Sequence, residues 1–238
     1  MNQMISEMLR QWCQQNEIPI SEQQLLQFQT YASLLQEWNQ KMNLTAITDD
    51  EGIAVKHFID SISLLKYDPI NAPLKLVDIG TGAGFPGIPL KIMRPSLELT
   101  LLDSLNKRLI FLDTVCQTLH LNVNLVHTRA EEGGLKPEFR EQFDIAVSRA
   151  VAGLPALCEY CLPYVKKNGR FFAMKGPDAD QELLASQKAL SVLGGALEKR
   201  HSLTLPDGSQ RSILIIAKTG HTPPQYPRRG QKINKHPI

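Results

Sequence analysis

Leu76-Val77-Asp78-Ile79-Gly80-Thr81-Gly82-Ala83-Gly84-Phe85-Pro86-Gly87 is the stretch on which the fold is decided. A short apolar strand runs into a glycine-rich turn and then into a helical pattern. Glycine carries no Cβ, so such a turn can be tight and can lie close to a ligand. Outward from it, short apolar runs alternate with helix-like segments. Strands are expected at 74–79, 98–103, 122–127, 143–148 and 170–175, then at 201–205 and 211–217. The first five alternate with helices, which predicts a mostly parallel sheet with right-handed crossovers. Pro206-Asp207-Gly208-Ser209 is too short for a crossover, so the last two strands form an antiparallel hairpin.

The glycines parse in two ways. Gly80, Gly82 and Gly84 give G-x-G-x-G, the pattern of methyltransferases that use S-adenosylmethionine. Gly82, Gly84 and Gly87 give G-x-G-x-x-G, the dinucleotide pattern, which alone is weak. The first parse is favoured because the glycines follow directly on Asp78-Ile79. In addition, Pro86 sits where a dinucleotide enzyme presents helix N–H groups to a pyrophosphate. The terminal hairpin points the same way. The expected fold is therefore α/β: a Rossmann-like class I S-adenosylmethionine-dependent methyltransferase, its mostly parallel sheet ending in an antiparallel hairpin.

The other strand ends supply candidate ligands for that cofactor. Asp103 closes the second strand, where a carboxylate can accept from both ribose hydroxyls or cap the next helix. Ala130-Glu131 follows the third strand, a small residue beside an acid that could lie along an adenine edge. Arg149 closes the fourth, a cation able to hold a carboxylate or phosphate in a water-poor cleft. Arg149→Ala is expected to abolish turnover and leave the fold intact. Lys175, at the end of the fifth strand, is read either as a rim cation or as a solvated loop lysine.

The first third reads as helical. Ser21 with Gln24, and Thr48 with Glu51, look like capping boxes. Leu25, Phe28, Tyr31, Leu35 and Trp38 recur at helical spacing, as do Phe58, Ile59, Ile62 and Leu65; Asp68-Pro69 and Ala72-Pro73 then break the pattern. His57 and Asp60, one turn apart, read as an i, i+3 pair holding these helices to the core. Residues 1–70 are thus expected to be a helical extension, 71–219 the methyltransferase domain and 220–238 a basic, proline-containing tail of extended or irregular backbone.

Composition narrows the classes. Hydrophobic residues are 42% and charged residues 21% of the 238, which argues against wholesale disorder. No apolar run is long enough for a membrane span, and Met1–Arg10 lacks a signal core, so a cytoplasmic protein is expected. Cys13, Cys116, Cys158 and Cys161 show no complete metal-ligand set, so they read as reduced, mostly buried thiols and no metal is expected. The net charge of +2 is uneven: after Asp207 there are six basic residues and no acid. Arg228, Arg229, Lys232 and Lys235 in that tail, with Lys175, are candidates for phosphate contacts, the alternative for the tail being mere solubility.

Two absences restrict the acceptor. Ser148-Arg149-Ala150-Val151 stands where methylases of exocyclic amines carry an Asn/Asp-Pro-Pro-aromatic motif, and there is no Pro-Cys dipeptide for covalent attack on a pyrimidine. Guanine N7 fits what remains: it offers a lone pair and carries no proton. No general base is then needed, and no catalytic residue is assigned.

With these residues in view, the chain resembles the bacterial small-subunit rRNA guanine-N7 methyltransferases, the RsmG or glucose-inhibited division protein B family. The resemblance runs through Trp38-Asn39, Asn43-Leu44-Thr45, His57-Phe58-Ile59-Asp60-Ser61, Asp78 to Pro89, Leu101 to Arg108, Ser148-Arg149-Ala150 and Lys175-Gly176, and extends to the tail, where Tyr226-Pro227-Arg228-Arg229 with Asn234-Lys235-His236-Pro237 looks like the extended ending of some members. It implies methylation of a guanine N7 in the decoding-region loop of 16S rRNA, a link between lost activity and streptomycin resistance, and a cofactor lying against Gly80, Phe85, Ala130-Glu131 and Arg149. Gly82 and Asp103 join that set from the strand ends. The expected partner is 16S rRNA or the small ribosomal subunit, met by a monomer. Open alternatives are another methyl acceptor, an NAD-dependent oxidoreductase, and a non-catalytic RNA-binding assembly factor.

Overall fold

A computed structural model describes residues 3–70, 73–149 and 151–238. Met1, Ala72 of the Ala72-Pro73 break and Ala150 of the Ser148-Arg149-Ala150 match lie outside them. Seven strands form one sheet in the order β3-β2-β1-β4-β5-β7-β6. They are β1 Lys75–Ile79, β2 Glu98–Asp103, β3 Val123–His127, β4 Phe143–Arg149, β5 Val165–Lys175, β6 Gly195–Thr204 and β7 Gln210–Lys218. The first five pair in parallel, whereas β7 is antiparallel to both β5 and β6. The expected hairpin is therefore present, and it lies at one edge.

β5 and β6 begin well before their expected starts at 170 and 201, for a shared reason. Lys166-Lys167-Asn168 opens β5 and Glu198-Lys199-Arg200 runs through β6, all exposed. β6 is the edge strand, and charges there block pairing with another chain. Neither stretch carries the apolar alternation by which strands are found in a sequence.

Helices α1 Gln3–Gln15 and α2 Glu22–Met42 precede the sheet. Ser21 caps α2 with the expected box: its Oγ accepts from Gln24 N and its N–H donates to Gln24 Oε1. α3 Asp50–Gly52 continues through a π-helical stretch, Ile53–Ile59, into α4 Asp60–Ile62 and a 3₁₀ turn at Ser63–Lys66. The second expected box is displaced by one residue: the cap is Asp49, which accepts from Gly52 N at 2.7 Å, and not Thr48. An aspartate next to the threonine competes better for the helix amide because its acceptor is charged.

Crossover helices α5 Gly87–Met93, α6 Asn106–Thr118, α7 Ala130–Gly133 and α8 Leu154–Cys161 connect the parallel strands. α9 Ala179–Ala185 and α10 Gln187–Leu193 lead into β6, and α11 Gly230–Lys235 lies near the C-terminus. Successive strand residues face opposite layers. Leu76, Leu101, Ile145, Val147 and Phe172 pack into a core shared with Phe28, Tyr31 and Phe58 of the N-terminal helices. Val77, Ile79, Ala146 and Phe171 pack with Leu157 and Leu190 on the other face. The N-terminal helices thus cover one face of the sheet, and the Tyr31 hydroxyl donates to the carbonyl of Ala83 inside the glycine turn.

The tail is irregular over residues 222–227, as expected, and departs from irregular backbone only after them. It closes with α11, whose Ile233 is fully buried in the second core. One buried apolar side chain and the docking surface around α8 decide its conformation. The prolines at 223, 224 and 227 all precede the helix.

Candidate cofactor cleft

The turn after β1 uses the glycines of both parses, with Gly87 confined by Leu101 and Asp78 where α5 meets the strands. Gly80, Gly82 and Gly84 have φ of +70°, +61° and +101°, the region that L side chains avoid. Gly84 is also confined, because a Cβ there would stand 2.5 Å from the Tyr31 hydroxyl and 2.9 Å from Leu112. Gly82 is open: nothing lies within 4 Å of where its Cβ would be. Gly87 has another task. Its N–H, the first of α5, donates to Asp78 Oδ2 at 2.9 Å, and the same oxygen accepts from Thr81 Oγ1 at 2.7 Å. The helix amide that would greet a pyrophosphate is thus already bonded to a buried carboxylate. Asp78 organises the turn from within. Burial pushes its pKa up to about 7, against the opposing bonds from Thr81 and Gly87, and its Oδ1 has no partner.

Outside the carboxyl ends of β1 to β4 lies a cleft of about 490 Å³, in the size range of small-molecule sites, roughly 300–1,000 Å³. All seven residues expected to hold the cofactor, Gly80, Gly82, Phe85, Asp103, Ala130, Glu131 and Arg149, line it. Asp103 is 2% exposed and works within the protein as well. Its Oδ2 accepts from Gly82 N at 2.9 Å and Arg108 Nη1 at 3.2 Å, and its Oδ1 from Leu105 N at 2.9 Å. It therefore ties the glycine turn to the end of β2. A carboxylate has about four lone-pair sites, so Oδ1 retains capacity for a ribose hydroxyl. The open face of Gly82 and this remaining capacity are what a nucleoside-bearing cofactor requires.

At the opposite wall Arg149 gathers groups from the N-terminal helices. Its Nη1 donates to Asp60 Oδ2 and to the Lys56 carbonyl, both at 2.8 Å, and its Nη2 lies 3.3 Å from His57 Nδ1. The guanidinium sits 5.2 Å from the Phe85 ring centre, and Phe85 stacks on His57 at 4.4 Å. His57 and Asp60 thus do not pair with each other; both meet Arg149. Facing a donor at Nδ1, the His57 ring is a neutral Nε2–H tautomer that donates to Thr45 Oγ1 at 2.9 Å. Burial first, and then the Arg149 charge, push its pKa down to about 3.

The candidate RNA cations divide. Arg229, Lys232 and Lys235 are exposed. Arg228 grips Glu159, whose side chain is fully buried, through Nε and Nη2 at 2.6–3.1 Å. Lys175 is 9% exposed, bonded to the Ala152 carbonyl at 2.8 Å and to Glu182 at 2.7 Å. Neither matches the picture of a solvated cation, since each is taken up by a carboxylate close by in the fold. The four cysteines are buried free thiols, and among the described residues no group of His, Cys, Asp or Glu is arranged to hold a metal. No described helix is long and apolar enough to cross a membrane.

Several cleft residues have no site role in the sequence: Thr45, Thr128, Tyr160 and Asn234, while His57 reads there only as a partner of Asp60. Thr45 falls within a stretch that carries the family resemblance, though nothing in its spacing gives it a role. Tyr160 sits mid-helix in α8, and Asn234 lies in a tail legible only by its charge and its likeness to the family's extended ending.

Comparison with known proteins bears on the family and the fold. Residues 24–213 match the model of a family described as rRNA small subunit methyltransferase G. A protein of that name from Alkaliphilus metalliredigens (strain QYMF) is 50% identical, with 97% of each chain covered. One from Bacillus velezensis is also 50% identical, over 93% of each. Among solved structures, a methyltransferase from Pyrococcus furiosus aligns with a TM-score of 0.57 at 17% identity, covering 81% of this chain and 98% of that one. TrmN from Thermus thermophilus aligns with a TM-score of 0.52 at 16% identity, covering 66% and 48%. These structures bear on the fold alone, which is that of the class I methyltransferases. At half identity over nearly the full length of its relatives, the chain belongs to the rRNA small subunit methyltransferase G family.

Proposed function

We propose that this protein methylates N7 of a guanine in the decoding-region loop of 16S rRNA, with S-adenosylmethionine bound in the cleft above β1 to β4. The observation that carries the reading is the glycine turn. It offers an open approach at Gly82 beside Asp103, while the first amide of α5 is held by Asp78. S-adenosylmethionine supplies a methyl group on a positively charged sulfur. Gly80, Gly82 and Phe85 bound the cofactor near the turn, Asp103 serves its ribose, and Ala130 with Glu131 flanks its base. Arg149 fixes Phe85 and His57 in place.

The acceptor needs alignment more than activation. Guanine N7 has no proton to lose, so a positioned lone pair suffices. His57, the titratable ring of the cleft, has both nitrogens engaged, with Arg149 and with Thr45, and is ill-suited to act as a base. A second cleft, of about 450 Å³, shares His57 and Arg149 with the first and is lined also by Lys56, Lys175 and Arg211 together with Asp60, Asp178 and Glu182. Lying beside the cofactor cleft, it is the natural entry for a nucleotide. Arg229, Lys232 and Lys235, exposed on the C-terminal segment, offer further contacts to RNA phosphates.

Calorimetric titration with S-adenosylmethionine, S-adenosylhomocysteine and NAD tests the cofactor. The first two bind and NAD does not. Binding of NAD alone would restore the dinucleotide parse. Methyl transfer to small ribosomal subunits then separates an enzyme from an RNA-binding assembly factor.

A further inference from the structure

The match to the family model ends at residue 213, although relatives align over nearly the whole chain, and the segment beyond it returns to the cofactor cleft. Three anchors hold the returning segment. The Arg140 guanidinium donates to the carbonyls of Thr222 and Tyr226 at 2.8 Å and of Pro223 at 3.2 Å. Arg228 engages the buried Glu159 through its side chain and through its own N–H, at 2.7 Å. Ile233 is fully buried.

This path brings the tail to the base end of the cleft. A Cβ on Gly230 would come within 2.2 Å of Glu131 Oε1, so the backbone of the segment lies directly against that carboxylate. Asn234 then forms part of the cleft wall, where the Tyr160 hydroxyl donates to its Oδ1 at 2.9 Å. Burial, and next the nearby Glu131, hold the Tyr160 phenol above its ordinary range. With Oδ1 taken by Tyr160, the two N–H donors of Asn234 have no partner among the described residues. They stand in a wall shared with Ala130 and Glu131.

We infer that the C-terminal segment is a wall of the cofactor cleft in which Asn234, oriented by Tyr160, donates to the purine base of the cofactor. Arg228 and Arg140 act through it as positioning residues, which accounts for a tail cation that is latched inward. The inference rests on S-adenosylmethionine as the ligand. A base offers ring nitrogens that accept hydrogen bonds, and Glu131 on the same wall accepts from an exocyclic amine. The segment therefore supplies the donor that complements Glu131.

Calorimetry with S-adenosylmethionine, S-adenosylhomocysteine and adenosine, on wild type, Asn234→Ala, Tyr160→Phe and the control Gln231→Ala, tests it. Thermal unfolding of each ligand-free protein is followed alongside. Asn234→Ala is expected to weaken all three ligands by the same factor, about 3- to 10-fold for one net hydrogen bond. Tyr160→Phe weakens them less, and Gln231→Ala not at all. Wild-type affinity in Asn234→Ala, with or without a lowered melting temperature, makes the segment merely structural and overturns the inference. A loss seen with S-adenosylmethionine and absent with adenosine overturns the placement at the base. Failure of wild type to bind any of the three sinks the cofactor reading itself, an outcome distinct from the other two.

Discussion

Arg149→Ala tests how the cleft is tied to the N-terminal helices. The sequence suggested a cleft residue that could be removed without harm to the fold. The structure places it against Asp60, whose side chain is 3% exposed, while that of Arg149 is 13% exposed. Removing one partner of a buried pair costs about 3–5 kcal/mol, because the other charge is left uncompensated. The lower end applies here, since Arg211 Nε still lies 3.4 Å from Asp60 Oδ1. A loss of about 3 kcal/mol is a large part of a usual stability of about 5–15 kcal/mol, so the variant folds but melts early. For a chain of this size the melting temperature falls by roughly 6–12 °C. Turnover is lost as well, because Phe85 and His57 lose the guanidinium that fixes them. Differential scanning calorimetry of Arg149→Ala and of the neutral pair Arg149→Met with Asp60→Asn gives the answer. The pair should recover most of the stability and none of the turnover. A single variant that melts with wild type, or a double variant no better than the single, would refute the buried-charge account.

Other consequences are as specific. Gly82→Ala should cost only about 1–2 kcal/mol for its left-handed backbone yet sharply weaken cofactor binding. Gly84→Ala, crowded by Tyr31 and Leu112, should cost more stability; chemical denaturation ranks the two. Two buried groups give opposite pH dependences. Asp78 has its pKa raised to about 7, so its contribution is present below the ordinary aspartate range and lost as pH rises through about 7. His57 has its pKa lowered to about 3, so its contribution is present above about 6.5 and lost as pH falls toward about 3. Stability of Asp78→Asn should therefore rise with pH between about 4 and 6.5 more steeply than that of wild type; parallel curves would contradict the assignment. Replacing Arg229, Lys232 and Lys235 by alanine should lower the slope of log K against log salt for RNA binding by up to about 2. Arg228→Ala should instead lower the melting temperature, because it abandons buried Glu159.

The central strands and the glycine turn were legible because burial on both faces forces apolar runs and a positive φ forces glycine. The hairpin was legible from a short turn, Pro206 to Ser209. The starts of β5 and β6 were hidden by lysines and glutamate that face solvent. Among site residues, those at strand ends, Asp103, Glu131 and Arg149, were found because parallel sheets put ligands there. What Arg149 holds was not legible: its partners Lys56, His57 and Asp60 lie about ninety residues away and meet it only in the fold. Charge alone misread Arg228, since composition does not say which cations find a buried carboxylate; Lys175 does line a cleft at its strand end, but paired with Glu182. Asn234 lies in a stretch that resembles the family's extended ending, but neither its spacing nor its type gives it a role.

The reaction to be detected is transfer of a methyl group to guanine N7. The direct measurement uses labelled S-adenosylmethionine with small ribosomal subunits from a strain lacking this enzyme. Their rRNA is then digested to nucleosides and the labelled one identified by mass spectrometry. Label in 7-methylguanosine is the predicted result. Label in any other nucleoside would contradict the argument that the acceptor needs no base, and absence of label from a protein shown to bind the cofactor would contradict the assignment of rRNA as substrate.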